Sequence, residues 1–215
     1  MAYFYGVYIS DKRIAGALEA IRFLMQPDAV RFAHITVRGP YQRRLSDTFI
    51  SKELTPRVRN WEVVLVQPGC FFSATQNTVY LNVELGQLRQ LWHKPHYPTG
   101  VAHLTLYDGG DPKAARALFE LVSRHHWNIR VGVSGLRLID EKHSVEGTLF
   151  DLLKGFMDAF ASLFSSRSVV PSEVTALDID RRLEMIQHVI VQLGCPMETP
   201  KDRHRPYPVS TIFTR

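Results

Sequence analysis

Two spacings of apolar residues recur along the chain. Runs that are β-branched, aromatic or alternately apolar and polar predict strands, whereas apolar residues three or four positions apart predict helices. Strands are predicted at residues 3–9, 31–37, 61–66, 78–85, 101–107, 129–133 and 136–139. Helices are predicted at residues 11–25, 86–92 and 111–125. Each half of this part of the chain therefore holds strands and a helix, which favours an α+β fold.

A different pattern begins near residue 148. Residues 148–164 are apolar around most of the circumference of a predicted helix, which is more than a one-sided surface helix needs. A second helix is predicted at 174–193, with Gly194 and Pro196 ending it. Either this second helix or a partner subunit would cover the apolar one, so a monomer and a homodimer both stay open.

These patterns divide the chain into two regions. Residues 1–147 are predicted to form the main domain, built from two pseudo-repeats at about 1–85 and 86–147. Residues 148–215 are interpreted as a helical C-terminal extension that ends in a proline-rich, basic tail.

Composition limits the class of protein. With 215 residues and 45% hydrophobic content, the chain can bury a core without disulfides or metals. No apolar run reaches membrane-spanning length and the first residues lack the features of a signal peptide, so a cytoplasmic protein without a membrane partner is expected. The two cysteines, Cys70 and Cys195, have no metal-ligand spacing and are expected to be reduced thiols.

The charge changes this picture modestly. A net charge of +5 and a pI of about 9.3 favour partners that carry phosphate, because a positive field concentrates anions. The lysines and arginines are dispersed, however, and most are interpreted as a solvated surface. Long nucleic acid is therefore not the favoured partner.

The candidate chemistry lies in a repeated five-residue motif. Residues 33–37 read Ala-His-Ile-Thr-Val, and residues 102–106 read Ala-His-Leu-Thr-Leu. A single H-x-T is most simply an ordinary strand histidine. Two copies that agree in residue class at all five positions, one in each half of the domain, favour a functional interpretation.

Strand geometry explains what each copy can do. Alternate side chains of a strand share a face, so His34 lies on the same face as Thr36, and His103 on the same face as Thr105. Histidine can accept or donate a proton near neutral pH, and a threonine hydroxyl can hydrogen-bond a phosphate oxygen. If the two copies meet, they form a phosphate site with one base and one acid.

On these motifs the sequence resembles the two-histidine phosphoesterase superfamily, which includes bacterial RNA 2′,3′-cyclic phosphodiesterases once described as 2′-5′ RNA ligases. The resemblance covers roughly residues 3–140. It implies a bilobal, pseudo-symmetric fold in which antiparallel-rich sheets line a central cleft, helices lie outside, and each lobe contributes one motif.

The resemblance also implies a mechanism that requires no metal or cofactor. One of His34 and His103 activates water for attack on a phosphodiester, and the other protonates the leaving oxygen. Thr36 and Thr105 hold the phosphate. Which histidine is the base stays open.

After the first motif the chain departs from the family. Many RNA-processing members have an aromatic-leucine-glycine run where this chain has Arg-Gly-Pro-Tyr at residues 38–41. Arg38 is a candidate to reach a second phosphate, and Tyr41 and Tyr107 are candidates to stack on a base. The alternatives are a solvated arginine and tyrosines that only pack.

The leading hypothesis is a metal-independent phosphodiesterase that hydrolyses a 2′,3′-cyclic phosphate or a related phosphodiester of a nucleotide or RNA end. The alternative is a non-catalytic sensor that binds a nucleotide, a cyclic nucleotide or an RNA end in the same cleft. A third hypothesis is a metal hydrolase that uses His93 and His96, although no carboxylate or cysteine accompanies them at ligand spacing.

Overall fold

A computed structural model describes residues 2–27, 32–96, 100–139 and 171–197. The predicted apolar helix at 148–164 and residues 198–215 of the basic tail lie outside the described residues.

The described chain is a mixed α/β structure. Its strands are β1 (Tyr3–Tyr8), β2 (His34–Tyr41), β3 (Glu62–Phe72), β4 (Asn77–Glu84), β5 (His103–Gly109), β6 (Ile129–Gly132) and β7 (Arg137–Leu138). Its α-helices are α1 (Lys12–Met25), α2 (Asp47–Phe49), α3 (Pro112–Val122), α4 (Pro171–Ala176) and α5 (Ile179–Gln192). Shorter π and 3-10 turns occupy Ile50–Leu54, Thr55–Arg57 and Gly86–Leu91.

The predicted strands and helices of the first 139 residues are confirmed in type and order, with shifted ends. The third strand was predicted to stop at Val66, but it continues to Phe72 because a register shift between Val66 and Pro68 accommodates the proline. Such a bulge tolerates a residue that cannot donate a backbone hydrogen bond. The helix predicted to reach His125 ends at Val122 instead, and the imidazole of His125 turns to the carbonyl of Cys195.

The seven strands form one antiparallel sheet in the order β6-β3-β4-β5-β2-β1-β7. Strands from the two sequence halves are interleaved in it. The β3–β4 hairpin of the first half lies beside β5 and β6 of the second half, while β7 pairs with β1. The sheet has a seam where β2 meets β5, and these two strands carry the two motifs.

Helices α1 and α3 pack on one face of the sheet, and α5 packs against both of them. The apolar motif residues Ile35 and Leu104 are fully buried, whereas the histidines and threonines that alternate with them are only partly buried and form the opposite face. The hydrophobic core therefore holds the motif strands from behind and leaves their polar side chains on the other side.

The C-terminal helix predicted at 174–193 is two helices. Asp178 separates them, because its side chain accepts a hydrogen bond from the backbone of Arg181 and caps α5. Met185, Ile186 and other apolar residues of α5 are buried in the same core as the sheet. The described part of the extension is thus packed against the domain.

None of the helices in the four described ranges is both long and apolar enough to span a bilayer.

Candidate active site

The two motifs lie side by side across the seam. Ile35 of β2 pairs with Leu104 of β5 in antiparallel register. The neighbouring positions therefore place His34 opposite Thr105 on the polar face of the sheet, and the other two motif side chains opposite each other. Directly opposed residues in such a pair have Cβ atoms roughly 4.5–5.5 Å apart.

The opposed pair on the other side of Ile35 and Leu104 is Thr36 with His103. The four polar motif residues thus form one patch with approximate twofold symmetry. Each histidine lies beside the threonine of the other motif as well as on the same strand as its own.

Both imidazoles are oriented in the same way by local backbone contacts. His34 Nδ1 lies 2.8 Å from the carbonyl oxygen of Phe32, and His103 Nδ1 lies 2.8 Å from that of Val101. A carbonyl can only accept, so in each ring Nδ1 carries the hydrogen. A neutral ring then has its lone pair on Nε2, the tautomer in which Nε2 can accept a proton from water.

Aromatic rings lie beside both histidines. The ring of Tyr8 lies 5.8 Å from that of His34. On the other side of the seam, Tyr80 lies 4.9 Å and Phe71 6.2 Å from the ring of His103. Phe71 stacks on Tyr80 at 4.8 Å and keeps 36% of its surface exposed, so one apolar ring face borders the patch.

Burial is the largest influence on the pKa of His103 and lowers it, and the positive charge of Lys94 lowers it further. The carbonyl of Val101 and the carboxylate of Asp108 act in the opposite direction. The net effect lowers the pKa of His103 from its usual value, so the neutral ring is favoured over a wider range of pH.

Lys94 is a cation that sequence reasoning missed. It is half-buried, its ammonium lies 5.4 Å from the ring centre of Trp92, and burial lowers its pKa. The preceding residue, His93, is hydrogen-bonded by its backbone to Val37 and Gly39, which fixes this segment along the end of β2. No motif marks Lys94, because only the fold brings this connecting segment to the edge of β2 that β5 also occupies.

Arg38 and Tyr41 have partners within the chain. Arg38 donates to the Tyr41 hydroxyl at 3.1 Å and to the carbonyl of Leu91 at 2.8 Å. The Tyr41 hydroxyl lies 2.6 Å from His93 Nδ1, and the two rings stack with an interplanar angle of 13°. These contacts brace the segment that leads to Lys94, and a substrate would have to replace some of them to engage Arg38 or Tyr41.

Tyr107 does not join the patch. It is buried in the core, and its hydroxyl bonds to the backbone of Asp111 at the start of α3. Simple alternation from Thr105 would place Tyr107 on the polar face, but a register shift between Val79 and Tyr80 breaks the alternation of β5 at this point. The packing interpretation of Tyr107 therefore fits the structure.

Two buried charged residues of α1 lie behind the motif strands and were also missed. Glu19 accepts a hydrogen bond from the backbone of Ala33, and Arg22 donates to the carbonyl of Thr105. The sequence signal was available, since charged side chains three apart interrupt an otherwise apolar helix face, but it did not say what they contact.

The third hypothesis concerned His93 and His96. His93 is engaged by Tyr41, and His96 is exposed. Among residues 2–27, 32–96, 100–139 and 171–197, no group of three or more His, Cys, Asp and Glu side chains is arranged to hold a metal ion.

The patch thus combines two equivalently oriented imidazoles, two hydroxyls and a bordering aromatic ring. Such a set can bind an oxyanion and move a proton at each of two opposite positions. Comparisons of the chain with protein-family models, with curated proteins and with solved structures find no match.

Proposed function

We propose that this protein is a metal-independent phosphodiesterase with the bilobal two-histidine architecture. Its substrate is a 2′,3′-cyclic phosphate or a related phosphodiester of a nucleotide or RNA end. The observation that carries the proposal is the pairing of Ile35 with Leu104, which brings the two H-x-T motifs together with both Nδ1 atoms fixed by backbone carbonyls.

The chemistry follows from this arrangement. One histidine, neutral at the start, takes a proton from water through Nε2 while the water oxygen attacks phosphorus. The bond from phosphorus to the leaving ribose oxygen breaks, and the other histidine, protonated at the start, gives that oxygen its proton. Thr36 and Thr105 donate hydrogen bonds to non-bridging oxygens, which stabilises the negative charge of the transition state.

Two features favour a nucleotide, which is both aromatic and anionic, as the substrate. Phe71 presents a half-exposed ring beside His103, and stacking of a base on an aromatic side chain is worth about 1–3 kcal/mol. The net charge of +5 favours the approach of an anionic substrate. A cytoplasmic monomer or homodimer remains the expectation for the whole protein.

The test is turnover of 2′,3′-cyclic nucleotides, RNA with a cyclic phosphate end and cyclic oligonucleotides, all with EDTA present. The wild type is compared with His34→Ala and His103→Ala. We expect either substitution to lower kcat/KM by about 10³-fold or more, because each removes a proton-transfer group, while Tm changes little. His126→Ala, which alters an exposed histidine after α3, is the matched control and should retain activity.

The alternative is a sensor that binds the same ligands without turning them over. Recovery of unchanged ligand after long incubation, together with tight binding that either histidine substitution weakens, would favour the sensor. Loss of activity in the histidine variants only together with loss of folding would remove support for both candidates.

A further inference from the structure

Glu19 is a buried carboxylate that the proposed reaction does not use. Only 2% of its surface is exposed, and Oε1 accepts a hydrogen bond of 2.9 Å from the backbone N–H of Ala33. Oε2 is buried and has no hydrogen-bond donor among the described residues. Burial of a charged group is costly, so its place directly behind the first motif calls for a physical reason.

One peptide group connects Glu19 to His34. The N–H of the Phe32–Ala33 peptide donates to Glu19, and the carbonyl of the same peptide accepts from His34 Nδ1 at 2.8 Å. Hydrogen bonds in such a chain polarise one another. A carboxylate at one end makes the carbonyl a stronger acceptor, which orients the imidazole and favours its protonated form.

Arg22 lies one turn further along α1 and is 7% exposed. Its Nη1 donates at 3.1 Å to the carbonyl oxygen of Thr105, the residue opposite His34 across the seam. Burial raises the pKa of Glu19, and the hydrogen bond from Ala33 and the positive charge of Arg22 oppose that shift in part. Glu19 therefore contacts the backbone just before β2, and Arg22 contacts the backbone of β5 at the residue opposite His34.

The other half of the site has different support. His103 is oriented by the carbonyl of Val101, a residue 45% exposed, and the charges that act on its ring are those of Lys94 and Asp108. The two halves are alike in their motifs and unlike in what stands behind them. The two motifs alone do not say which histidine is the acid and which is the base, but the different charges behind them do distinguish the two.

We propose that Glu19 is a positioning residue that acts on His34 through the Phe32–Ala33 peptide, a relay of two hydrogen bonds. We propose also that Arg22 positions Thr105 by donating to its carbonyl oxygen. The catalytic part of this inference rests on the proposed function. In that reaction the relay makes His34 the proton donor to the leaving oxygen and leaves His103 as the base. Within the described part of the chain, Tyr8 from β1 and Thr105 from β5 lie beside His34 on the neighbouring strands.

The direct test is NMR titration of the His34 ring in the wild type and in Glu19→Gln, which keeps the shape and removes the charge. We expect the midpoint of His34 to fall by on the order of half a pH unit, because the imidazolium loses a polarised acceptor. The midpoint of His103 in the same spectra is the internal control and should stay constant. An unchanged His34 midpoint in the folded variant would overturn the relay.

Kinetics then separate positioning from general stability. Glu19→Gln should lower kcat about tenfold and leave KM within about twofold, since positioning acts on the transition state. Ile190→Ala, in the buried face of α5, is the control for lost stability and should lower Tm without this effect on kcat. An equal loss of kcat in the control would show that Glu19 is only structural.

Two other results of the Glu19→Gln experiments also bear on the proposal. If the wild type turns over none of the substrates but the His34 midpoint still falls in Glu19→Gln, the relay holds and the proposed function fails. If Glu19→Gln does not fold, Arg22→Lys replaces it in the kinetic test. Lysine keeps the charge but is too short to reach the Thr105 carbonyl in the same way, so kcat should fall about tenfold; an unchanged kcat would overturn the proposal.

Discussion

The two threonines lie across the seam from the two histidines, where a phosphate between the imidazoles would contact both hydroxyls. Thr36→Val and Thr105→Val remove a hydroxyl and keep the branched shape that suits a strand. Each should lower kcat/KM about 10- to 100-fold through loss of a hydrogen bond to the charged phosphate, with Tm nearly unchanged. Thr78→Val, on β4 and bonded to Asp108 instead, is the control. Retention of full activity by both motif variants would remove the threonines from the mechanism.

His103 should give the protein a characteristic dependence on pH. Burial and Lys94 lower its pKa in the folded state, so below the unfolded value of about 6.5 the unfolded chain binds more protons than the folded one. The contribution of His103 to stability is therefore fully present above that value and is lost as pH falls through the lowered folded pKa. If His103 is the base, the acidic limb of the pH–rate profile follows the same folded pKa.

Lys94→Met tests this coupling. It removes the positive charge that lowers the pKa of His103, so the acidic limb should move to higher pH, and kcat/KM should fall because an anionic substrate loses a nearby cation. Lys113→Met alters an exposed lysine in the first turn of α3 and is the matched control. Identical limbs in the wild type and Lys94→Met would mean that the charge is too far away to matter.

Phe71 is well placed to stack on a base. Its ring is supported by Tyr80 from behind and remains partly exposed beside His103. Phe71→Ala should raise KM for nucleotide substrates about 5- to 150-fold, as expected for loss of about 1–3 kcal/mol of stacking, and should change kcat much less. A phosphodiester without a base should be cleaved equally well by both proteins. Phe49→Ala, an equally exposed phenylalanine in α2, is the control and should leave KM unchanged.

At the scale of elements, the regular spacing of helices and strands could be predicted from the sequence, whereas the bulges that interrupt the strands could not. Asp11 caps α1 where the apolar spacing predicted its start, and the alternation of residues 33–37 holds in β2. The bulges in β3 and β5 depend on pairing with a neighbouring strand, which a single strand's sequence does not specify. For that reason Tyr107 was open to a wrong assignment, while His34 and its partner motif were not.

The supporting contacts of α1 have the same origin. Glu19, Arg22 and Gln26 lie three and four residues apart, so they share one face of the helix. Gln26 exchanges two hydrogen bonds with the backbone of Asp108, which adds a second tie between α1 and β5. Polar residues on a buried helix face indicate backbone partners in general, but only the packed structure shows that these partners belong to the motif strands.

At the scale of the molecule, the sequence halves and the spatial halves differ. Each motif could be located because its chemistry lies in five consecutive residues. The seam could not be predicted in the same way, because the β3–β4 hairpin crosses to the side of β5 and β7 returns to β1. Long-range pairing of this kind places the two motifs next to each other at positions 35 and 104, and it joins the halves into one sheet.

The described C-terminal segment, residues 171–197, packs against the rest of the domain. Met185, Ile186, Val189 and Ile190 are buried, α5 packs against α1 and α3, and the backbone of His126 bonds to that of Pro196 at 2.9 Å. A chain ended after residue 147 would expose the apolar faces that α5 covers, including the outer side of the helix that supports the motifs. Apolar burial stabilises by about 25 cal/mol per Å², and a typical domain is stable by only about 5–15 kcal/mol, so this exposure destabilises the domain.

We therefore expect the chain of residues 1–147 to unfold at a much lower temperature than the full chain, or to aggregate, and to lose the proposed activity with its fold. Thermal unfolding followed by circular dichroism, with turnover measured on the same samples, is the check. A chain ended after Met197, which keeps α4 and α5, is the matched control and should keep both its Tm and its activity. If residues 1–147 alone were as stable and as active as the full chain, α5 would be dispensable cover and the two motifs would be held by the sheet and α1 without it.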